Sequence, residues 1–147
     1  MLGSLDGVEA GLRQLRRARP VETAAYDSEG GKTVAIPTMA EILRIKAYLV
    51  LQRNAVRDYL DLVALTDSMG LAQAAEILRD IDAYYLDRAD NDESVLSALI
   101  LKLAAPQPRD PEVTGQLSTY KALVARWQDW SAVEVACHDL SQELARQ

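Results

Sequence analysis

From Thr38 onward, the sequence repeats apolar residues at helical spacing with few interruptions. Seven Gly and five Pro among 147 residues leave little material for the turns of an all-β fold. The pattern therefore predicts a mainly α fold, a helical domain of six or seven helices. We expect these helices over 39–53, 55–69, 71–85, 94–104 and 111–127, and from 131 to the end of the sequence.

The first 37 residues follow a different pattern, and we predict a domain boundary there, with 1–37 as a small α/β remnant and 38–147 as the helical domain. Apolar residues at helical spacing predict a helix over 6–19, which Pro20 ends. Two short runs, 21–26 and 32–36, flank a Ser-Glu-Gly-Gly segment and predict a β-hairpin. Two strands alone do not make a stable sheet, so the hairpin needs further strands, a helix or another chain.

Two Thr/Ser-x-x-Glu patterns predict capping boxes at helix N-termini. One pairs Thr38 with Glu41, and the other pairs Ser131 with Glu134. Asn54 is the predicted cap of the second helix.

The composition excludes several classes of protein. One Cys and one His rule out disulfide frameworks, cysteine zinc sites and multi-histidine metal sites. A net charge of −6 disfavours non-specific binding to nucleic acid. Because no apolar run reaches about 20 residues and no signal peptide opens the chain, we expect a soluble cytoplasmic protein without a membrane partner.

The charge is unevenly distributed along the chain. Residues 1–57 contain nine basic and six acidic residues, a net charge of +3, whereas residues 58–147 contain seven basic and sixteen acidic residues, a net charge of −9. An anionic ligand should therefore bind the first part of the chain.

Charged residues interrupt the apolar runs of the first two long helices, and we name this set the charged seam: Lys46, Arg53, Arg57, Asp58 and Asp61. Since the linker between the helices is short, they should pack as neighbours and bring Lys46 to Asp61. Arg57 and Asp61 are four residues apart and can pair within their helix.

The charged seam has two interpretations. It is an ion network that fixes the register of two helices, or it is a site for a phosphate or nucleotide. In the second case Lys and Arg would hold phosphate oxygens, and the carboxylates would orient them or bind base or ribose.

The pattern Pro37-Thr38-x-x-Glu41-Ile42-x-Arg44-Ile45-Lys46-Ala47, followed by Arg53-Asn54-x-x-Arg57-Asp58-Tyr59-x-Asp61, resembles the C-terminal motif region of AbiEii/AbiGii-type nucleotidyltransferase toxins. The resemblance implies catalytic roles for Lys46 and Asp61, with Lys46 contacting the nucleotide phosphates. It implies that Arg53, Arg57 and Asp58 help to bind the nucleotide. It further implies nucleotide transfer from a nucleoside triphosphate with Mg²⁺, in some members onto tRNA.

The sequence departs from that family in one respect. Its members carry a Gly-Gly or Gly-Ser turn followed by an Asp-x-Asp pair that binds the metal, and this chain has no such arrangement. We therefore expect no metal ligands, the later half of an enzyme, and no activity by itself. Mg²⁺ and a nucleoside triphosphate would bind only with the missing half.

Three functional hypotheses follow from these patterns. The first is a truncated, nucleotidyltransferase-like abortive-infection or toxin–antitoxin protein, whose partners would be a cognate antitoxin, an upstream-encoded half or tRNA. The second is a helical interaction or oligomerisation module without catalytic activity, which would form a homo-oligomer or bind a partner. The third is a plain helical protein in which the charged seam is structural.

Other notable groups have simpler interpretations. Cys137-His138-Asp139 lies in a predicted helix, where neighbours point in different directions and form no catalytic unit. The acidic residues of 87–93 lack the spacing of a calcium loop. We predict a solvated helix face for the basic residues of 13–19. We predict packing roles for four aromatic residues, Tyr84, Tyr85, Trp127 and Trp130.

Overall fold

The computed structural model describes residues 2–5, 8–11, 17–85, 94–120 and 123–146. Within these ranges the chain is mainly helical with β-hairpins at its N-terminal end, which confirms the predicted fold class. The strands are β1 (Leu2–Leu5), β2 (Val8–Gly11), β3 (Thr23–Asp27) and β4 (Thr33–Pro37). The α-helices are α1 (Met39–Arg53), α2 (Val56–Met69), α3 (Leu71–Arg79), α4 (Val95–Ala104) and α5 (Trp130–Ala145).

The predicted helix over 6–19 is wrong in the residues that the structure describes, because residues 8–11 form a strand and residues 17–19 are not helical. β1 pairs with β2, and Leu2 lies opposite Gly11. Leu5 and Val8 fit a helical spacing, but they also fit the facing ends of two paired four-residue strands. Apolar spacing over so short a stretch does not distinguish the two structures.

The second hairpin was predicted correctly. β3 pairs with β4 in antiparallel register, with Ala25 opposite Ala35. The connecting turn contains Gly31, whose φ of 70° is costly for other residues. β3 and β4 form a two-stranded sheet of their own, as do β1 and β2.

Helices α1 and α2 pack against each other, and α3, α4 and α5 complete the helical body. Their inward faces form one apolar core, with Leu43, Leu62, Leu78, Leu99 and Leu140 fully buried. α1 begins and ends where the sequence predicted it. In the described residues, no helix is both long and apolar enough to span a membrane.

Segments near the end of the chain are wound more tightly than predicted. Instead of one helix over 111–127, the described residues form two 3₁₀ segments, Pro111–Thr119 and Ala125–Gln128. A further 3₁₀ turn, Ile81–Ala83, follows α3. Gly115 and the β-branched residues of this segment favour α-helix weakly.

Two of the predicted caps are replaced by others. Asn54 does not cap α2: it ends α1 in the left-handed conformation, with a φ of 51°, and its side-chain amide donates to the Gln107 carbonyl at 2.7 Å. Asp129, not Ser131, caps α5, and Glu134 accepts from the Trp130 indole N–H at 2.9 Å.

Candidate functional site

The charged seam lies where α1 and α2 face each other. Lys46 Nζ is 2.6 Å from Asp61 Oδ2, so the predicted pairing between the helices is present. The lysine side chain is 29% exposed and the aspartate 37%. A pair so open to water is partly screened and contributes little to stability.

The other half of the charged seam is more deeply buried. The guanidinium of Arg53 pairs with Asp58, whose side chain has no exposure to solvent. Asp58 Oδ2 also accepts the backbone N–H of Ala55 at 3.3 Å, which satisfies an N–H at the start of α2. Asp58 therefore anchors the α1–α2 turn.

The predicted pair between Arg57 and Asp61 is wrong. Arg57 is exposed, and among the described ion pairs it is Lys46 that holds Asp61. α1 packs on α2 and brings the lysine close, while Arg57 points to solvent. Four of the five residues of the charged seam thus form two separate ion pairs, the arrangement expected of a helix-register network, and Arg57 lies outside both.

A second set of polar residues, the arginine–tyrosine cluster, joins the segment before β3 to the helical body. Its members are Arg17, Arg19, Glu22, Glu41, Arg44, Tyr84 and Tyr85. Glu41 has no exposure to solvent and pairs with both Arg17 and Arg44, the latter at 3.5 Å.

The Thr38–Glu41 capping box is therefore only half formed. The Thr38 hydroxyl accepts the N–H of Glu41 at 3.1 Å. The Glu41 carboxylate turns inward to the arginines instead of back to Thr38, whose N–H donates to the Glu22 carbonyl at 3.0 Å. Sequence reasoning missed the cluster because the contacts that join the segment before β3 to α1 link residues more than 18 positions apart.

Tyrosine rings cover the cationic side of the cluster. The Arg44 guanidinium carbon lies 4.1 Å from the centre of the Tyr84 ring, and the Arg19 carbon lies 4.9 Å from it. Tyr85 stacks on Tyr48 with ring centres 3.9 Å apart. Tyr84, Tyr85 and Trp127 are buried and Trp130 is half-buried against the core, which confirms the packing roles predicted for these four residues.

Ionisation in the cluster favours the paired state. The Glu41 side chain raises the pKa of Arg17, because it accepts a hydrogen bond from the guanidinium. Hydrogen bonds from Tyr84 and then from Arg44 lower the pKa of Glu22. Burial raises the pKa of Tyr85 to about 12, so its hydroxyl stays protonated.

These contacts correct the prediction of a solvated basic helix face over 13–19. Arg17 is 7% exposed and lies in an ion pair. Arg19 is exposed, and its backbone carbonyl accepts from Arg17 Nε at 2.7 Å. Arg13, Arg16 and the acidic residues of 87–93 lie outside the described residues.

Helix α5 confirms the interpretation of Cys137-His138-Asp139. Cys137 is buried, and burial raises the pKa of its thiol to about 12. His138 and Asp139 are exposed, and a ring nitrogen of His138 lies 2.9 Å from the Gln142 amide. His138 borders an open groove of about 550 Å³ between the end of α4 and α5.

The described residues contain no group of three His, Cys, Asp or Glu placed to hold a metal ion.

Comparison with known proteins gives matches to mycobacterial transport proteins. The heme uptake protein MmpL11 of Mycobacterium tuberculosis is 38% identical over 114 residues, which are 78% of this chain and 12% of that protein. The mycolic acid-containing lipids exporter MmpL11 of Mycolicibacterium smegmatis is 36% identical over 123 residues, 84% of this chain and 12% of that protein. The probable transport protein MmpL11 of Mycobacterium leprae is 34% identical over 114 residues.

The chain thus spans about an eighth of the length of these relatives. No protein-family model and no solved structure matches it. These findings show that the nucleotidyltransferase resemblance is wrong, and with it the toxin–antitoxin function and partners. The expectation that the chain has no connection with a membrane is also wrong, because its relatives are transport proteins.

The resemblance misled because its motif consists of helix-pairing charges. Lys46, Arg53, Asp58 and Asp61 recur at a spacing that any two packed helices with inter-helix ion pairs can share. The Mg²⁺ and nucleoside triphosphate that the resemblance implied stay untested.

Proposed function

We propose that this chain is a folded, non-catalytic interaction domain of a membrane transport protein similar to MmpL11. One observation carries the proposal: 38% identity over 78% of this chain, confined to 12% of the relative. Similarity over a stretch of domain size fits a domain that is one part of a much longer transporter.

The geometry of the domain supports this proposal. Four of the five residues of its charged seam form ion pairs, and the buried charges of the arginine–tyrosine cluster pair with one another. Charged side chains that are paired in this way hold the helices together, and the rest of the domain surface can contact other parts of a transport protein. We propose that the domain lies on the cytoplasmic side of the membrane, because a chain with one cysteine has no internal disulfide of the kind common outside the cell.

A domain exchange tests the proposal. In the M. smegmatis exporter, the segment that matches this chain is deleted or replaced by the chain, and mycolic acid-containing lipids are measured outside the cells. We expect the deletion to abolish export and the replacement to restore it. Export that is unchanged by the deletion would overturn the proposal, as would a folded, membrane-inserted chimaera that does not export.

A matched pair of variants controls for folding. Leu43→Asp places a charge in the fully buried core, whereas Ala64→Asp places the same charge on the exposed side of α2. We expect the chimaera with Ala64→Asp to export and the one with Leu43→Asp to fail, because an unpaired buried carboxylate is costly.

A further inference from the structure

The β3–β4 hairpin is exposed along its whole length. All ten residues of its two strands are exposed, and within the described part of the chain these strands pair only with each other. Isolated two-stranded hairpins are marginally stable in water, and three or more strands stabilise a sheet. We propose that the outer edge of β4 pairs with β4 of a second copy of this chain, giving a four-stranded sheet. This inference does not depend on the proposed function.

The two faces of the hairpin differ in character. Tyr26 lies opposite Val34, and Ala24 lies opposite Ile36, so these apolar side chains share one face. Asp27 and Thr33 share the other face, where the threonine hydroxyl donates to the carboxylate at 2.6 Å. The three larger apolar side chains, Tyr26, Val34 and Ile36, are 41% to 53% exposed.

Exposed apolar residues are concentrated in this part of the molecule. Of the ten large hydrophobic residues that are exposed in the described residues, five lie between residues 21 and 39: Val21, Tyr26, Val34, Ile36 and Met39. Such a concentration is typical of an interaction surface, whereas apolar residues scattered singly are ordinary.

The backbone pattern shows which groups are directed outward. Ser28 N–H donates to the Lys32 carbonyl, and Thr38 N–H donates to the Glu22 carbonyl. Since hydrogen-bonded pairs alternate along an antiparallel ladder, even-numbered residues bond across the hairpin. Odd-numbered residues of β4, including Thr33 and Ala35, therefore point their N–H and C=O groups away from β3.

The sequence of β4 suits pairing with itself. The strand carries no charged residue from Thr33 to Pro37, and charges are a common means of blocking edge pairing. Pro37, at the end of the strand, has no N–H to donate, so the N–H groups of Thr33 and Ala35 make the bonds to the second copy. Antiparallel pairing about a two-fold axis at Ala35 places Val34 opposite Ile36 of the second copy and Ala35 opposite itself. The two apolar faces then become one.

Charge also favours a second copy at this position. Residues 17–37 contain three basic and three acidic residues, a net charge of zero, in a chain whose net charge is −6. Two copies that meet here avoid the repulsion expected elsewhere on an acidic surface. A five-residue strand offers a small contact compared with the roughly 800 Å² per partner of a standard stable interface, so we expect the dimer to be weak and reversible.

The test uses the full chain and two opposite charges at one position. Sedimentation equilibrium over a range of concentrations should show a monomer–dimer equilibrium for the unmodified chain. Ala35→Lys or Ala35→Glu should each abolish the dimer, because like charges meet across the axis, and an equimolar mixture of the two variants should restore it. Ala25→Lys is the matched control on the outer edge of β3 and should leave the dimer intact.

Circular dichroism confirms that each variant is folded. The proposal is overturned if the unmodified chain stays monomeric at every concentration, if Ala35→Lys still dimerises, or if the mixture stays monomeric. Loss of the dimer on Ala25→Lys but not on Ala35→Lys would place the interface on β3 and would also overturn it.

Discussion

Glu41 is the most consequential single charge in the described residues, and its removal gives the sharpest stability prediction. The carboxylate has no exposure to solvent and balances Arg17 and Arg44, whose side chains are 7% and 10% exposed. Glu41→Gln keeps the shape and removes the charge. Arg44 keeps its 2.8 Å ion pair with Glu22, which is 43% exposed, but Arg17 loses the one ion-pair partner that it has among the described residues.

Breaking a buried ion pair by removing one partner costs about 3–5 kcal/mol. That is a large fraction of the roughly 5–15 kcal/mol that stabilises a domain of this size. At about 3 °C for each kcal/mol, the melting temperature should fall by about 10–15 °C. Urea unfolding followed by circular dichroism measures the free energy of unfolding directly.

Glu76→Gln is the matched control for this substitution. Glu76 pairs with Arg79 at 2.7 Å, but its side chain is 77% exposed. An exposed pair is worth about 0–1 kcal/mol, so this variant should unfold close to the parent chain. If Glu41→Gln costs less than about 1 kcal/mol, or no more than Glu76→Gln, the argument that burial makes the cluster important is refuted.

Three further predictions follow from the same contacts. Hydrogen bonds lower the pKa of Glu22 in the folded state, so its contribution to stability is present above its unfolded pKa and is lost as the pH falls through the lower folded value. Urea unfolding at a series of acidic pH values should therefore show that the free energy of unfolding falls less steeply with pH for Glu22→Gln than for the parent chain. Cys137 should resist thiol reagents in the native protein and react on unfolding, because it is buried and its pKa is raised to about 12; fast labelling of the native chain would contradict its position in the core. Asp58→Ala should destabilise the chain by several times more than Asp61→Ala in urea unfolding, since Asp58 is fully buried and Asp61 is not; equal effects would contradict the ranking by burial.

Local signals in the sequence predicted the parts of the fold that depend on them. The run from Met39 to Arg53 carries its own apolar period and its own start at Thr38, and α1 has those bounds. The short linker at Asn54 and Ala55 made α1 and α2 neighbours, from which the Lys46–Asp61 pair followed. The Ser-Glu-Gly-Gly turn likewise located the β3–β4 hairpin.

The parts that sequence reasoning missed depend on contacts between distant residues. Glu41 looked like one half of a capping box, because nothing local showed that Arg17 would come to it. Glu22 meets Arg44 and Tyr84, which are 22 and 62 positions away. The functional prediction failed for a related reason: helix-pairing charges and phosphate-binding charges use the same residue types at the same helical spacing.

We propose two roles here: the domain serves a transport protein, and its charged seam serves the fold. One experiment tests both roles. The matching segment of the M. smegmatis exporter is replaced by this chain carrying Lys46→Met and Asp61→Leu, and export is measured. Because the Lys46–Asp61 pair is partly screened by water and an exposed pair contributes about 0–1 kcal/mol, we expect export equal to that of the unmodified chimaera. Loss of export from a double variant that unfolds in urea at the same concentration as the parent chain would contradict it.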